Sequence, residues 1–198
     1  LVGFVVGLVD RERILDGSRV RPKDIILGLP STGLHTNGYS LARRVFYEQL
    51  GLAPGDRIPG STSKASVTEQ LLAIHASYLR AVAPLLEHPG LHALAHITGG
   101  GLTDNIPRVL PPKTRAQIKA GSWEVPEIFR LLQEHGAIDT EEMFRVFNMG
   151  IGMCVIVAPE SVGEVMASLK AAGTKASPIG TVQKGGSGVV YDLGGHNT

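Results

Sequence analysis

The sequence has little cysteine, little net charge and no long apolar run. Cys154 is the one cysteine in 198 residues, so an internal disulfide and a cysteine-built zinc site are excluded, and we expect it to be buried as a small hydrophobic side chain. The formal net charge of +1 gives no long-range attraction to nucleic acid or to an acidic membrane. Since no stretch of about 18 apolar residues occurs, no membrane-spanning helix is expected. We therefore expect neither a nucleic-acid nor a membrane partner, and a cytoplasmic location.

The composition is that of a globular protein, and the first residues suggest a piece of a longer chain. Apolar residues make up 43% and charged residues 19%, enough for one buried domain. Residues 2–9 are apolar and β-branched, which predicts a strand, and Asp16-Gly17 predicts a turn. The start lacks both an initiator Met and the basic region of a signal peptide. A chain that begins within a strand is unusual, so we expect a piece of a longer protein. The charged, turn-rich segment 10–24 predicts a domain boundary near Asp16.

Apolar periodicity predicts alternating strands and helices. A buried strand at 25–29 runs through a polar loop into a helix over 39–50. Ser66 and Glu69 match a capping box, and the helix behind it is predicted to bury Leu72, Ile74 and Leu79 among others. Further strands are predicted at 91–97, 116–120, 152–158, 175–183 and 188–193, the last two as a hairpin, and further helices at 102–110, 126–136, 139–147 and 160–172. This alternation predicts a layered α/β domain with a mixed sheet.

The loop STGLHTNGYS, residues 31–40, is crowded with neutral hydrogen-bonding side chains. His35 could donate to a phosphate or transfer a proton near neutral pH, and Asn37 could orient an amide or a ribose hydroxyl. A purely structural alternative is a turn at Asn37-Gly38, with Asn37 or Ser40 capping the helix. The residues alone leave both interpretations open. The candidate site residues of this loop are Ser31, His35, Thr36, Asn37, Gly38 and Ser40.

The loop HITGGGLTDN, residues 96–105, carries three consecutive glycines between a predicted strand and a predicted helix. Such a backbone lets N–H groups approach a ligand closely. The Lys and Ser/Thr of a nucleotide-binding P-loop are missing, and so is the spacing of a dinucleotide fingerprint. A tight structural turn is the alternative. The candidate site residues here are Thr98, Gly99, Gly100, Gly101 and Asn105.

Asn148 and the glycines of NMGIGM, residues 148–153, form a third candidate, for which a bulge at the start of a strand is an equal alternative. His75, His88, His92 and His135 show no metal-ligand spacing. We therefore expect no metal site made by this chain alone.

Several strings together resemble the phosphoribosylformylglycinamidine cyclo-ligase (AIR synthetase) family. In the family's order they are GFVVGLVD, ILDGSRV, HTNGYSLARR, HITGGGLTDNIPRVLP, WEVPEIFRLL, EEMFRVFNMGIGM and SPIGTV, and they span nearly the whole chain. The resemblance implies that residues 1–15 are the last strand and linker of a missing N-terminal ATP-binding domain. It also implies that residues 16–198 are the C-terminal domain, a three-layer α/β/α unit of partly ferredoxin-like character.

The resemblance implies an enzyme of purine biosynthesis. Such a ligase converts formylglycinamidine ribonucleotide and ATP to aminoimidazole ribonucleotide, ADP and phosphate, with Mg²⁺. The implied partners are the substrate, ATP, the chain's own N-terminal domain and a second copy in a homodimer. His35 and Asn37 would be catalytic and the other candidate residues would bind substrate or phosphate. One alternative is another member of the ATP-dependent superfamily, such as formylglycinamidine ribonucleotide synthetase; a second is a fragment that binds substrate but is inactive alone.

Overall fold

Six strands form one mixed sheet in the computed structural model, which describes residues 3–194. The strands are β1 (Ile25–Pro30), β2 (Leu91–His96), β3 (Thr114–Lys119), β4 (Ile151–Val157), β5 (Ser177–Lys184) and β6 (Val189–Asp192), in the spatial order β2-β4-β1-β5-β3-β6. Neighbours are antiparallel except β3 and β6, which are parallel. The predicted mixed sheet is confirmed.

Helices occupy the connections. They are α1 (Tyr39–Arg43), α2 (Val67–Leu71), α3 (Leu79–Val82), α4 (Gly101–Asn105), α5 (Glu127–Gly136), α6 (Thr140–Val146) and α7 (Val162–Ala171). A π-helix, Arg44–Gln49, continues α1 directly, so that the predicted helix over 39–50 is present. Single 3-10 turns lie at Arg11–Arg13, Ala83–Leu85, Ile106–Val109 and Pro159–Ser161. Within residues 3–194, no helix has the length and apolarity needed to cross a membrane.

Successive residues of β1 point into two different apolar layers. Ile26 packs with Phe46 and Phe129 on one face of the sheet, while Leu27 packs with Leu169 on the other. Because both faces are covered by helices, the strand can be apolar at every position, as its sequence IILGL is. The three-layer α/β/α arrangement is thus confirmed. Cys154 is buried within the first layer, as expected.

The predicted hairpin at the end of the chain is wrong. β6 does not pair with β5; it pairs in parallel with β3, with Ala116 opposite Val189. The connection crosses the end of β3, where Gly185 N–H donates to the Lys113 carbonyl and Ala116 N–H donates to the Gly188 carbonyl. In the sequence, two strands joined by a short glycine-rich link indicate a hairpin. In the sheet, however, β3 lies between β5 and β6.

The capping box is confirmed, whereas the long helix behind it is wrong. Ser66 and Glu69 exchange the predicted hydrogen bonds, yet α2 ends at Leu71 and residues 73–78 have no regular secondary structure. Leu72, Ile74 and Leu79, which were predicted to be buried, are 69%, 88% and 69% exposed. The backbone of this segment bonds to the loop after β1 instead of continuing the helix.

The predicted strand at residues 2–9 is not formed by the described residues. Residues 3–10 have no regular structure, and Phe4, Val5, Val6 and Leu8 are 94–102% exposed. A strand needs a partner edge for its backbone groups, and no strand of residues 3–194 pairs with this segment. Its assignment, with residues 10–15, to another domain stays a prediction.

Candidate functional site

The three candidate segments meet at one edge of the sheet. β1 and β2 are each antiparallel to β4, so they run parallel to each other and their carboxyl ends lie together. The loop 31–40 follows β1, the loop 96–105 follows β2, and Asn148 precedes β4. The two loops touch, since a Cβ on Gly99 would lie 3.3 Å from Oδ1 of Asn37.

The first loop is held in an uncommon backbone conformation. His35 and Thr36 have φ angles of 53° and 65°, in the left-handed region that costs a non-glycine residue about 1–2 kcal/mol. The carbonyl of His35 accepts hydrogen bonds from Nδ2 of Asn37 at 2.9 Å and from Oγ1 of Thr36 at 2.5 Å. These bonds fix the turn and leave Thr36 exposed and Asn37 partly exposed. Strain of this kind is concentrated at ligand-binding positions.

His35 is buried and is already used by the backbone. Its Nε2 accepts from the Thr32 N–H at 3.0 Å and from the Ala76 N–H at 3.3 Å, and only 3% of the residue is exposed. Burial, and secondarily the neighbouring His75 and His96, lowers the pKa of His35 to about 4. The ring is therefore neutral at pH 7, with its proton on Nδ1, which has no partner within residues 3–194. This geometry favours a positioning role; the catalytic role predicted for His35 stays a prediction.

We expect the free energy of unfolding to decrease as the pH is lowered from about 6.5 toward 4. The unfolded chain takes up a proton on His35 near its ordinary pKa of 6.5, whereas the folded chain resists it down to about 4. This difference makes the chain more stable above pH 6.5 than near pH 4 by about 3 kcal/mol. Urea unfolding across this range should show a smaller pH slope in His35→Gln than in the parent chain. Equal slopes would contradict the assignment.

The second loop is organised around the buried side chain of Asn105. Its Nδ2 donates to the carbonyls of Gly101 at 2.8 Å, Gly99 at 3.2 Å and Thr98 at 3.3 Å, and its Oδ1 accepts from Oγ1 of Thr98. With the carbonyls turned toward Asn105, the backbone N–H groups of Gly99 and Gly100 have no partner in the described part of the chain. Free N–H groups on an accessible glycine backbone are suited to an anion.

Asn148 links the start of β4 to the first loop. Its Oδ1 accepts from Oγ1 of Ser31 at 2.9 Å and from the Gly150 N–H at 2.8 Å, while its Nδ2 donates to the Gly33 carbonyl at 2.8 Å. Only 2% of Asn148 is exposed. Every strong hydrogen-bonding atom of this side chain thus has a partner, which makes Asn148 a support of the site.

The predicted residues separate into an accessible set and a supporting set. Asn105, Asn148 and Gly101 are buried beneath the loops. The accessible or partly accessible residues are Ser31, Thr36, Asn37, Gly38, Ser40, Thr98, Gly99 and Gly100. Among residues 3–194, no group of three His, Cys, Asp or Glu side chains is arranged to hold a metal ion.

Sequence reasoning missed a third element of the site, the irregular segment 73–78. The carbonyl of Ile74 accepts from Oγ1 of Thr32 at 2.6 Å, and Oη of Tyr78 donates to the Pro30 carbonyl at 2.7 Å. The ring of His75 lies 3.9 Å from that of His35 and 5.3 Å from that of His96, measured between centroids. The helical spacing of apolar residues here assigned His75 to a helix, and so concealed its position between the loops.

A mixed sheet covered on both faces, with polar loops gathered at one edge, places the chain among α/β domains that present a loop-built binding site. The chain belongs to the family described as AIR synthase related protein, C-terminal domain, which matches residues 21–192. A curated relative from Citrifermentans bemidjiense (strain ATCC BAA-1014 / DSM 16622 / JCM 12645 / Bem), named phosphoribosylformylglycinamidine cyclo-ligase, is 48% identical over 93% of this chain and 52% of its own length. The chain thus spans about half the length of the curated relatives it matches.

Solved structures share the fold at lower identity. Thiamine-monophosphate kinase from Stenotrophomonas maltophilia K279a has a TM-score of 0.62 and 17% identity, covering 93% of this chain and 54% of its own. The hydrogenase maturation protein HypE in complex with ATP has a TM-score of 0.58 and 20% identity, covering 90% and 50%. At these identities the likeness concerns the fold alone.

Proposed function

We propose that this chain is the C-terminal, substrate-facing part of a phosphoribosylformylglycinamidine cyclo-ligase of purine biosynthesis. The whole enzyme would convert formylglycinamidine ribonucleotide and ATP to aminoimidazole ribonucleotide, ADP and phosphate. The observation that carries the proposal is the meeting of the two loops at Asn37 and Gly99, in a chain 48% identical to a protein of that name. Two of the seven strings on which the family resemblance rests, HTNGYSLARR and HITGGGLTDNIPRVLP, begin within these loops.

The proposed reaction needs groups that position the substrate and stabilise phosphoryl charge, and the two loops contain such groups. The formyl oxygen of the substrate is a poor leaving group, and transfer of the terminal phosphoryl group of ATP to it makes it a good one. The neighbouring nitrogen then attacks that carbon, the ring closes and phosphate leaves. Positioning and stabilisation of phosphoryl charge supply most of the catalysis in such chemistry. The N–H groups of Gly99 and Gly100 would stabilise that charge, and Asn37 would orient the amidine or a ribose hydroxyl.

Mg²⁺ accompanies ATP in the proposed reaction, and this chain is not fitted to hold it. Asp104 is the one carboxylate within the two loops, and it is exposed and belongs to no metal-ligand cluster in residues 3–194. No step of the proposed reaction therefore runs through a metal held by these residues.

The ATP bound by HypE supports ATP as a ligand of the wider fold. We propose that the N-terminal part of the enzyme supplies most of the ATP site and the homodimer contact.

We expect no ring closure from this chain alone. Joined behind the N-terminal half of the Citrifermentans bemidjiense relative, it should form aminoimidazole ribonucleotide and ADP when given formylglycinamidine ribonucleotide, ATP and Mg²⁺. Asn37→Ala in this chimera should lower kcat/KM about 100-fold or more, because an oriented polar contact is lost. Gln49→Ala, exposed on the π-helix, is the matched control and should change kcat/KM little.

Folding of each chimera is checked by circular dichroism and by thermal unfolding. A folded chimera that hydrolyses ATP without forming the ring-closed product would contradict the proposed activity. Near-normal kinetics of Asn37→Ala would leave the first loop a structural element only.

A further inference from the structure

Three imidazole rings and a phenol are packed together at the edge of the sheet where the loops meet. His75 stands edge-on to His35, and its ring is tilted 37° to that of His96. Tyr78 lies 6.2 Å from His35 and 6.4 Å from His96, measured between ring centroids. His35 and Tyr78 are buried, whereas His75 and His96 are exposed. The accessible part of this cluster is therefore a pair of imidazoles, one beside each loop.

No anion among residues 3–194 neutralises this pair. Within residues 3–194, no carboxylate forms a hydrogen bond or an ion pair with His35, His75 or His96. By contrast, His92 is bonded to the buried Asp24, and His88 pairs with Glu164. Two further titratable groups lie close by. Burial raises the pKa of Tyr78, which keeps its phenol neutral at pH 7, and the carboxylate of Asp104 lies beside Gly100, where a Cβ would overlap its Oδ2.

His96 is the member of the pair whose protonation is disfavoured by its surroundings. Burial and the neighbouring His75 lower the pKa of His96 below its ordinary value. A phosphate that accepts a hydrogen bond from a ring N–H of each histidine would oppose this shift at His96, because an anion favours the charged imidazolium. The unpartnered N–H groups of Gly99 and Gly100, three and four residues after His96, add two more donors at the same edge.

We propose that His75 and His96 form a binding position for a phosphoryl group carried by the ligand of this site. The neutral, buried His35 supports the ring of His75 from behind and makes no direct contact with the ligand. The phosphoryl position specifies how the ligand of the proposed function is held, and it rests on that function for one point, that the ligand carries phosphate. Two sources share this chemistry, the 5′-phosphate of a ribonucleotide substrate and the terminal phosphates of ATP.

Proton uptake on binding is the signature of such a site. Since the anion stabilises the protonated pair, affinity should increase as the pH falls from 8 to 6. We would titrate the histidine ring signals by NMR with no ligand, with ribose 5-phosphate and with ATP. The pKa of His96 should rise by about one unit with one of the two ligands, and the ring signals of His75 should shift with it. The ligand that produces the shift identifies the source.

His75→Gln keeps a hydrogen-bonding amide but cannot carry charge. It should lower affinity for that ligand about tenfold at pH 6 and much less at pH 8. The control is His135→Gln on α5, a partly exposed histidine bonded to the Pro59 carbonyl, which should leave both affinities unchanged. Equal ring shifts at His88 and His135, or no shift with either ligand, would overturn the site. This test is independent of the ring-closure assay. Ligand binding at the histidines together with an inactive chimera would contradict only the proposed activity. An active chimera without such binding would contradict only this site.

Discussion

Gly101→Ala is expected to destabilise the chain by about 3 kcal/mol or more. Gly101 has φ of 58°, and a Cβ there would overlap the carbonyl oxygen of Phe144 and lie 2.6 Å from that of Phe147. Both obstacles are backbone atoms, so no side chain can rotate to make room. The added methyl group would have to displace the end of α6 or the start of α4.

Gly99→Ala is the matched control in the same triple glycine. Its Cβ would meet only Oδ1 of Asn37, a side-chain atom at 3.3 Å, and Gly99 is exposed. We expect its free energy of unfolding to lie within about 1 kcal/mol of the parent value. Urea unfolding of the two variants is the measurement. Similar losses in both would show that Gly101 does not pack against α6 as described.

Asn105→Asp is expected to destabilise the chain by about 4 kcal/mol at pH 7. The substitution replaces an amide that donates to three carbonyl groups with a carboxylate oxygen that faces them. The charge is buried, since Asn105 is 3% exposed, and nothing positive contacts it among the described residues. The cost combines desolvation of the charge with loss of the bonds that shape the second loop.

The same variant should have a definite pH dependence. A protonated carboxyl can still donate to one carbonyl, so the pKa of the introduced group is higher in the folded chain than in the unfolded chain, where it is about 4. The unfolded state then loses its proton first, and the deficit relative to the parent grows as the pH rises above about 4. Unfolding at pH 4 and pH 7 measures it. Asp104→Asn, one residue away and exposed, should change stability by less than about 1 kcal/mol at either pH; a deficit for Asn105→Asp that does not vary with pH would refute the explanation.

Most of the fold follows from local signals in the sequence. The run IILGL predicts a strand covered on both faces, and Ser66 with Glu69 predicts a helix start; both are confirmed. The hairpin is wrong because chain neighbours need not be sheet neighbours, and the partner of β6 lies some seventy residues earlier, in β3. Residues 73–78 show a related limit. Their apolar spacing is helical, but tertiary hydrogen bonds to the loop after β1 hold them in an irregular conformation.

The sequence predicted which loops form the candidate site, but it did not predict which of their residues are accessible and which are buried. Glycine and polar side chains between a strand and a helix identified both loops, and the parallel ends of β1 and β2 explain why they meet. The sequence could not separate Asn37, which is accessible, from Asn105 and Asn148, which are buried supports, since the three are the same residue type in similar strings. Nor could it place His75, whose neighbours in space lie 40 residues before it and 21 residues after it.

The backbone at the start of β4 holds the first residues of both loops. The N–H of Ser31 donates to the carbonyl of Gly150, which immediately precedes β4, and the N–H of Ile97 donates to the carbonyl of Gly152 within β4. The distance between the loops is therefore set by a single rigid backbone. Because the loops are already ordered relative to each other, binding of a ligand that bridges them costs little loop conformational entropy. A ligand bound to one loop therefore meets the other loop already in its binding position.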